Sequence, residues 1–203
     1  MAVPKIEKPS LNLITKAIPK TEPVRFATFQ SAWGTCLIAQ VQGAICALGW
    51  PKSREDQKKF FLDIQKRWKG HTFIEDPKKM AYLWPEIIAC WEGICKDYPI
   101  ALKGTSFELE TWKALSTVRR GESLSYQNLA EKMGHSKKSA RPIGNAVGKN
   151  PVSLLIPCHR IIRTDRSLGG YRWGTNLKSH LLSTEGVELS TSKSLESQLQ
   201  WKL

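Results

Sequence analysis

The segment SYQNLAEKMGHSKKSARPIGNAVGKNPVSLLIPCHRII, residues 125–162, carries the most information about the fold of this chain. Ser125 opens a short helical pattern that Gly134 ends, and a second helical pattern runs through Arg141 to about Lys149. Two short helices around a glycine-containing turn are typical of a helix-turn-helix. The first part of the segment therefore predicts a small helical unit built around this motif.

The second part of the segment, NPVSLLIPCHRII, places a cysteine at the end of an apolar run. Val152–Ile156 is short and apolar enough to predict a buried strand, and Pro157 ends it because proline donates no backbone hydrogen bond. Cys158 then lies just beyond a strand end, where reactive groups are often presented. A thiol becomes a nucleophile beside a base or a cation, and His159 follows directly.

A histidine that acts as a base needs a partner that holds its tautomer, as in catalytic triads. Two carboxylates are candidates for this partner, Glu185 at the end of the last predicted helix and Asp165. The other four cysteines have no comparable context. The chain has five cysteines, and this odd total and their irregular spacing predict neither a disulfide framework nor a zinc site. We therefore interpret the other four as reduced core thiols: Cys36, Cys46, Cys90 and Cys95.

Charge points to a polyanionic partner. The chain has 31 basic and 18 acidic residues, a net charge of +13, and the stretch from Lys132 to Lys178 holds ten basic residues and one acidic residue. Such a local excess favours a nucleic-acid footprint over a plain solvated surface. The hydrophobic content of 41% excludes a disordered chain. No apolar run is long enough for a membrane span and no secretory signal is visible, which predicts an intracellular protein.

The patterning predicts an α+β fold, with a small N-terminal α/β roll-like domain and a mostly helical C-terminal domain that contains the helix-turn-helix. Strands joined by turns at Gly34 and Gly43 are followed by a helix that Ser53 can cap. The expected boundaries are a flexible arm, an α+β domain, a linker, the C-terminal domain and a tail: residues 1–23, 24–96, 97–104, 105–189 and 190–203.

The string Ile156-Pro-Cys-His-Arg-Ile-Ile and its spaced companions resemble the 6-O-alkylguanine-DNA alkyltransferases. The companions run from Gly104 to Gly186 and include Gly121-Glu-Ser-Leu-Ser-Tyr, Gly144-Asn-Ala, Asn150-Pro, Gly170-Tyr and Glu185-Gly. This resemblance implies DNA repair by an irreversible, stoichiometric transfer of an alkyl group from the 6-oxygen of guanine to Cys158. It implies a single-turnover methyltransferase without a cofactor, and we expect no metal.

The resemblance also implies roles for further residues. His159 would be the water-mediated base, Glu185 would orient it, and Asn150 would brace the turn that carries the cysteine. Other residues would contact the substrate base or the DNA: Tyr126, Arg141, Ile161, Tyr171, Arg172, Trp173, Lys137, Lys138 and Lys149. The bulk of Trp173 predicts a tight pocket that prefers methyl over benzyl. The expected partner is double-stranded DNA bound through its minor groove by a monomer, in the cytoplasm or in a eukaryotic nucleus.

Two other functions fit parts of the sequence. A thiol hydrolase could use Cys158, His159 and Glu185, but it predicts turnover and does not explain the basic stretch. A non-catalytic helix-turn-helix regulator would bind DNA in a sequence-specific way and would be indifferent to loss of Cys158.

Overall fold

The chain forms two compact units, residues 1–103 and 104–203. A computed structural model describes residues 12–14, 17–94 and 98–190. Both units combine helices with β-structure, so the α+β class predicted from the sequence is confirmed. Within the described ranges, no helix has the length and apolar character needed to cross a membrane.

The first unit is built on a six-stranded sheet with the order β1-β6-β4-β3-β2-β5. The strands β2, β3 and β4 form an antiparallel meander, whereas β1 and β4 both run parallel to β6, and β5 runs parallel to β2. The turns between the meander strands contain Gly34 and Gly43, both with positive φ. The strand bounds are Asn12–Ile14, Val24–Ser31, Gly34–Val41, Ala44–Gly49, Phe73–Glu75 and Pro99–Ala101 for β1 to β6.

The described part of the first unit also has three helices: α1 (Arg54–Arg67), α2 (Pro77–Met80) and α3 (Leu83–Trp91). Ser53 caps α1 as predicted, because its side chain accepts a hydrogen bond from the backbone N–H of Asp56. The buried side chains of α1 and α3 lie at helical spacing, as an amphipathic helix requires: Phe60 and Ile64 on α1, and Leu83, Ile87, Cys90 and Trp91 on α3.

Two boundaries predicted from the sequence are wrong. Pro99–Ala101, inside the predicted linker 97–104, forms β6 between β1 and β4. Asn12–Ile14, inside the predicted arm 1–23, forms β1 beside it. Both strands have only three residues, too short for the alternation that marks a strand in a sequence, and they are ordered by pairing with each other. The remaining arm residues 1–11 and 15–16 and the tail beyond 190 lie outside the described residues.

The second unit is mostly helical. Its helix α4 (Ser106–Leu115) begins with a capping box, in which Thr105 and Glu108 bond each other's backbone N–H groups. The short strands β7 (Leu124–Ser125) and β8 (Ile161–Ile162) pair in parallel. The remaining elements are α5 (Tyr126–Lys132), a 3₁₀ turn at Lys137–Ser139, α6 (Ala140–Gly148), a 3₁₀ turn at Cys158–Arg160, and α7 (Thr175–Thr184).

The apolar run before the cysteine is a turn, so the predicted buried strand at Val152–Ile156 is wrong. Its backbone folds back on itself, with the N–H of Ile156 donating to the carbonyl of Val152 at 3.0 Å. Leu154 adopts the left-handed region at φ 72°, which no regular strand contains. The apolar side chains are buried all the same, which is why periodicity alone could not separate the two structures.

Candidate active site

Cys158 begins a 3₁₀ turn that follows the folded-back segment, and Asn150 holds that segment in shape. The side-chain amide of Asn150 donates to the carbonyl of Ile156 at 2.8 Å, and its oxygen accepts from the N–H of Val152 at 3.0 Å. Asn150 is 1% exposed, so both bonds lie in the protein interior, where a lost partner is costly. This geometry matches the bracing role that the resemblance implies for Asn150.

His159, Glu185 and Arg160 form a buried polar cluster next to the cysteine. Nε2 of His159 lies 3.0 Å from Oε1 of Glu185, and the Arg160 guanidinium donates to both Glu185 oxygens at 2.8 Å. The same guanidinium donates to the carbonyl of Val118 at 2.7 Å. Of the two candidate carboxylates, Glu185 is therefore the one in contact with the histidine. Asp165 is exposed and accepts hydrogen bonds from Ser167.

The cluster sets the protonation states of its members. Burial alone would raise the pKa of Glu185, but the hydrogen bonds from Arg160 and His159 outweigh it and hold that pKa far below its ordinary value. Burial lowers the pKa of His159 despite the carboxylate beside it. The imidazole is thus neutral at physiological pH and donates through Nε2. Its Nδ1 has no hydrogen-bond partner among the described residues, so this nitrogen is the one that can take up a proton.

The Cys158 thiol is 5% exposed. Burial raises its pKa, while hydrogen bonds from Asn150 and Ser153 and the charge of Lys178 act in the opposite direction. The Ser153 hydroxyl lies 3.9 Å from Sγ, and Nε1 of Trp173 donates to that hydroxyl at 2.5 Å. Trp173 is 4% exposed, so its ring is buried, and the Ser153 hydroxyl links its indole nitrogen to the sulfur.

Lys178 is a fully buried lysine on α7 that the sequence analysis missed. Its ammonium donates to the carbonyls of Ile161, Leu168 and Gly170, at 2.5, 2.5 and 3.2 Å. Burial lowers its pKa to about 8. The sequence pattern indicates this burial, because Lys178 lies on the same face of α7 as the buried Leu181 and Leu182. A lysine is rarely buried at such a position unless it has hydrogen-bond partners. Its three bonds tie β8 to the loop that precedes Tyr171.

The burial of Lys178 and Arg160 removes both from the predicted basic footprint. The other eight basic residues between Lys132 and Lys178 are exposed: Lys132, Lys137, Lys138, Arg141, Lys149, Arg163, Arg166 and Arg172. Two of them make ion pairs, Lys137 with Glu131 at 3.2 Å and Lys149 with Glu108 at 3.1 Å. Arg172 lies over the Trp173 ring, 5.0 Å from its centroid. The exposed cationic surface therefore contains eight basic residues instead of the ten counted in the sequence.

Tyr126 and Arg141 lie on the two short helices. Tyr126 begins α5 and is half-buried; burial raises the pKa of its phenol, and the nearby Cys158 adds to that effect. Gly144 and Gly169 pack close to its ring, since a Cβ would lie in van der Waals contact, 3.6 Å from a ring carbon at Gly144 and 3.4 Å from the hydroxyl at Gly169. Arg141 is exposed on the first turn of α6. Two further residues were predicted to contact the substrate base or the DNA. Ile161 is buried, and Tyr171 is half-buried.

The other cysteines differ in state. Cys36 and Cys46 are free and buried, and burial raises the pKa of Cys36 to about 12, so they are inert core thiols as predicted. Cys90 is disulfide-bonded, so its prediction as a reduced thiol is wrong. Cys95 lies outside the described residues. Among residues 12–14, 17–94 and 98–190, no group of three or more His, Cys, Asp or Glu side chains could hold a metal ion.

The site combines a buried free thiol with a carboxylate-held imidazole on the next residue, and nucleophilic cysteine sites use this pair of groups. The family model described as "6-O-methylguanine DNA methyltransferase, DNA binding domain" matches residues 106–187. The inducible methylated-DNA–protein-cysteine methyltransferase of Bacillus subtilis is 37% identical over 155 residues, which cover 75% of this chain and 84% of that protein. The chain belongs to the family of methylated-DNA–protein-cysteine methyltransferases.

Other similar proteins include a longer chain and a solved structure. The bifunctional transcriptional activator/DNA repair enzyme Ada of Escherichia coli is 32% identical over 166 residues, or 80% of this chain. The chain spans only 45% of the length of Ada. The crystal structure of Mycobacterium tuberculosis OGT in complex with DNA has a TM-score of 0.66 and 29% identity, and the match covers 80% of this chain and 92% of that one.

Proposed function

We propose that this protein repairs duplex DNA by transferring a methyl group from the 6-oxygen of guanine to Sγ of Cys158. The observation that carries the proposal is the neutral, buried imidazole of His159, which Glu185 holds and which directly follows the buried free thiol of Cys158 in the chain. The product is a thioether, which no group in the site can hydrolyse, so each molecule acts once. No cofactor or metal takes part.

The reaction balances with residues of this chain alone. Nδ1 of His159 accepts the thiol proton through a bridging water, and the thiolate attacks the methyl carbon in line. The new C–S bond forms as the bond from that carbon to the guanine oxygen breaks, and the electron pair leaves on the guanine. Protonation of the guanine anion completes the step. The phenol of Tyr126, which burial keeps protonated, delivers that proton, and the histidine replenishes it.

A thiolate cannot reach a methyl carbon inside a base stack, so the reaction requires extrusion of the base. The exposed Arg141 on the first turn of α6 is long and flat enough to enter the space that the base leaves. Arg172 and Trp173, next to Tyr171, border the pocket that receives the base. The carbonyls of Cys158 and Ile161 accept from the exocyclic amine. The protein works as a monomer inside the cell, bound to the minor groove.

The direct test is the stoichiometry of transfer. The protein is mixed with a large excess of a duplex that carries 6-O-methylguanine, and the demethylated guanine is counted over time. We expect a single burst that ends at one guanine per protein molecule. Continuing turnover would support the thiol hydrolase, and duplex binding without any demethylation would support the regulator; either result contradicts the proposal.

The affinity for undamaged duplex is expected to fall steeply as salt is added. Phosphate contacts release counterions, and each one contributes a slope of about −0.9 in log K against log salt. Lys138→Gln and Arg163→Gln should each make this slope less steep by about 0.9, the contribution of one phosphate contact. Titration by fluorescence anisotropy at several salt concentrations measures this slope. Lys58→Gln, an exposed lysine of α1, is the control that should leave it unchanged; a flat response in the unaltered protein would argue against the cationic surface.

The pocket is expected to prefer methyl over benzyl because the buried Trp173 ring lies beside the sulfur. Trp173→Gly should therefore raise the rate of transfer from free 6-O-benzylguanine relative to methyl transfer. We expect an increase of roughly tenfold or more, the usual effect of added space in a binding pocket. The rates are measured by mass spectrometry of the alkylated protein. Trp173→Phe keeps most of the bulk and should stay close to the parent. Equal benzyl rates in the parent and in Trp173→Gly would remove the steric argument.

A further inference from the structure

The reactive thiol has a second polar neighbourhood, on the side of Ser153 and separate from the His159–Glu185 pair. Ser153 lies in the turn that precedes the cysteine and is 1% exposed. Its hydroxyl lies 3.9 Å from Sγ of Cys158, and Nε1 of Trp173 lies 2.5 Å from the same hydroxyl. The three side chains are each at most 5% exposed, so bulk water does not compete for these bonds.

The direction of the hydrogen bonds follows from the chemistry of the groups. An indole N–H can only donate, so the Ser153 oxygen accepts from Trp173. A hydroxyl has a single proton, and that proton is then free to point at another acceptor. A thiolate can only accept. We propose that Ser153 donates its hydroxyl proton to the Cys158 thiolate, and that the Trp173 indole is the positioning residue that orients this hydroxyl toward the sulfur.

Other groups near the sulfur also act on the thiolate. Burial and then the sulfur's charge raise the pKa of Tyr171 well above its ordinary value, and the same two causes raise that of Tyr126, so both phenols stay neutral. The Lys178 ammonium stabilises the thiolate by its charge, but its own bonds go to three backbone carbonyls. The Asn150 amide contributes a bond to the sulfur as well. Ser153, Asn150 and the Tyr171 phenol are thus neutral groups with hydrogen bonds to the sulfur, and those from Ser153 and Asn150 offset the burial of the thiolate.

The use of this donor in alkyl transfer rests on the proposed function, whereas the hydrogen bond itself does not. Without the donor, less thiol is ionised at a given pH. A thiol with a higher pKa is also a somewhat better nucleophile once ionised, with a Brønsted coefficient of about 0.4–0.5. A tenfold loss of thiolate therefore converts to roughly a threefold loss of transfer rate.

The test titrates the thiol directly, without DNA. The ultraviolet absorbance of the thiolate is recorded against pH, and the same curve for a Cys158→Ala protein is subtracted so that only Cys158 contributes. Ser153→Ala should raise the thiol pKa by about one unit, which is a tenfold loss of thiolate below the pKa. Trp173→Phe removes the indole donor but keeps an aromatic ring, and it should raise the pKa by about half a unit. Ser179→Ala removes a similarly buried hydroxyl outside this chain of bonds and is the matched control.

The double variant Ser153→Ala/Trp173→Phe distinguishes a role of Trp173 in orienting Ser153 from a role in packing. If Trp173 acts through Ser153, Trp173→Phe should add nothing to the pKa change once Ser153 is alanine. Additive changes would overturn the positioning role of Trp173, and an unchanged pKa in Ser153→Ala would overturn the donor role. Thermal unfolding of each variant checks that it is folded, and Trp173→Phe still tests the donor if Ser153→Ala does not fold. A pKa change in a protein that transfers no methyl would refute the proposed function and leave the donor in place.

Discussion

Cys158→Ala is expected to abolish methyl transfer completely and to leave the affinity for duplex DNA within about twofold of the parent. The thiol supplies the bond-forming atom, so no residual route exists once it is gone. The DNA contacts are assigned to exposed cations on α6 and the surrounding loops, which the substitution does not touch. Transfer is measured by loss of 6-O-methylguanine from an oligonucleotide, and binding by fluorescence anisotropy with the same duplex.

The control for this prediction is Cys46→Ala, which removes another free, buried thiol from the other unit. Burial raises the pKa of Cys46 far above its ordinary value, so this thiol stays protonated and transfer should proceed at the parent rate. Any methyl transfer by Cys158→Ala would show that the nucleophile lies elsewhere. Loss of DNA binding by the same variant would show that the cysteine supports the fold of the DNA-contacting elements.

Arg160→Met is expected to destabilise the fold by about 3–5 kcal/mol, the usual effect of removing one partner of a buried ion pair. The substitution removes the guanidinium that donates to both oxygens of the buried Glu185 carboxylate, and the carbonyl of Val118 loses its donor. Urea unfolding followed by circular dichroism measures the change. Because the chain has two units, the transition that reports the second unit must be fitted separately.

Arg119→Met serves as the control for stability, because Arg119 is an exposed arginine in the same unit. A surface substitution of this kind should change the free energy of unfolding by less than about 0.5 kcal/mol. If Arg160→Met and Arg119→Met had the same effect, the buried pair would contribute nothing to stability. A stable Arg160→Met protein would also weaken the assignment of an ionised Glu185.

Local signals in the sequence predicted local structure well. The caps at Ser53 and Thr105 bond the backbone groups that their spacing predicts. The glycines at 34 and 43 turn the meander, and α7 ends before Gly186. Each of these features depends on residues within four positions of one another. The errors at β1 and β6 arose because these strands depend on distant partners in the sheet. The error at Val152–Ile156 arose because the side chain of Asn150 bonds the backbone into a turn, which the apolar pattern does not report.

The site residues show the same contrast between what the local sequence predicts and what only the folded chain determines. The Pro-Cys-His-Arg string identified the cysteine and histidine, but only the folded chain separates Glu185 from Asp165, since contact distance across 26 positions is not written in the sequence. Lys178 and Arg160 were counted as surface charge because a count of basic residues carries no information about burial. Ser153 was present in the quoted segment, yet its bond to the sulfur depends on Trp173, 20 positions away.

The measurement that tests the central claim most directly is the intact mass of the protein after reaction with an oligonucleotide that carries 6-O-methylguanine. The account predicts the addition of one methyl group per molecule, and peptide digestion should map it to Cys158. A methyl group on another residue, or an unchanged mass while guanine is regenerated in the DNA, would contradict the account.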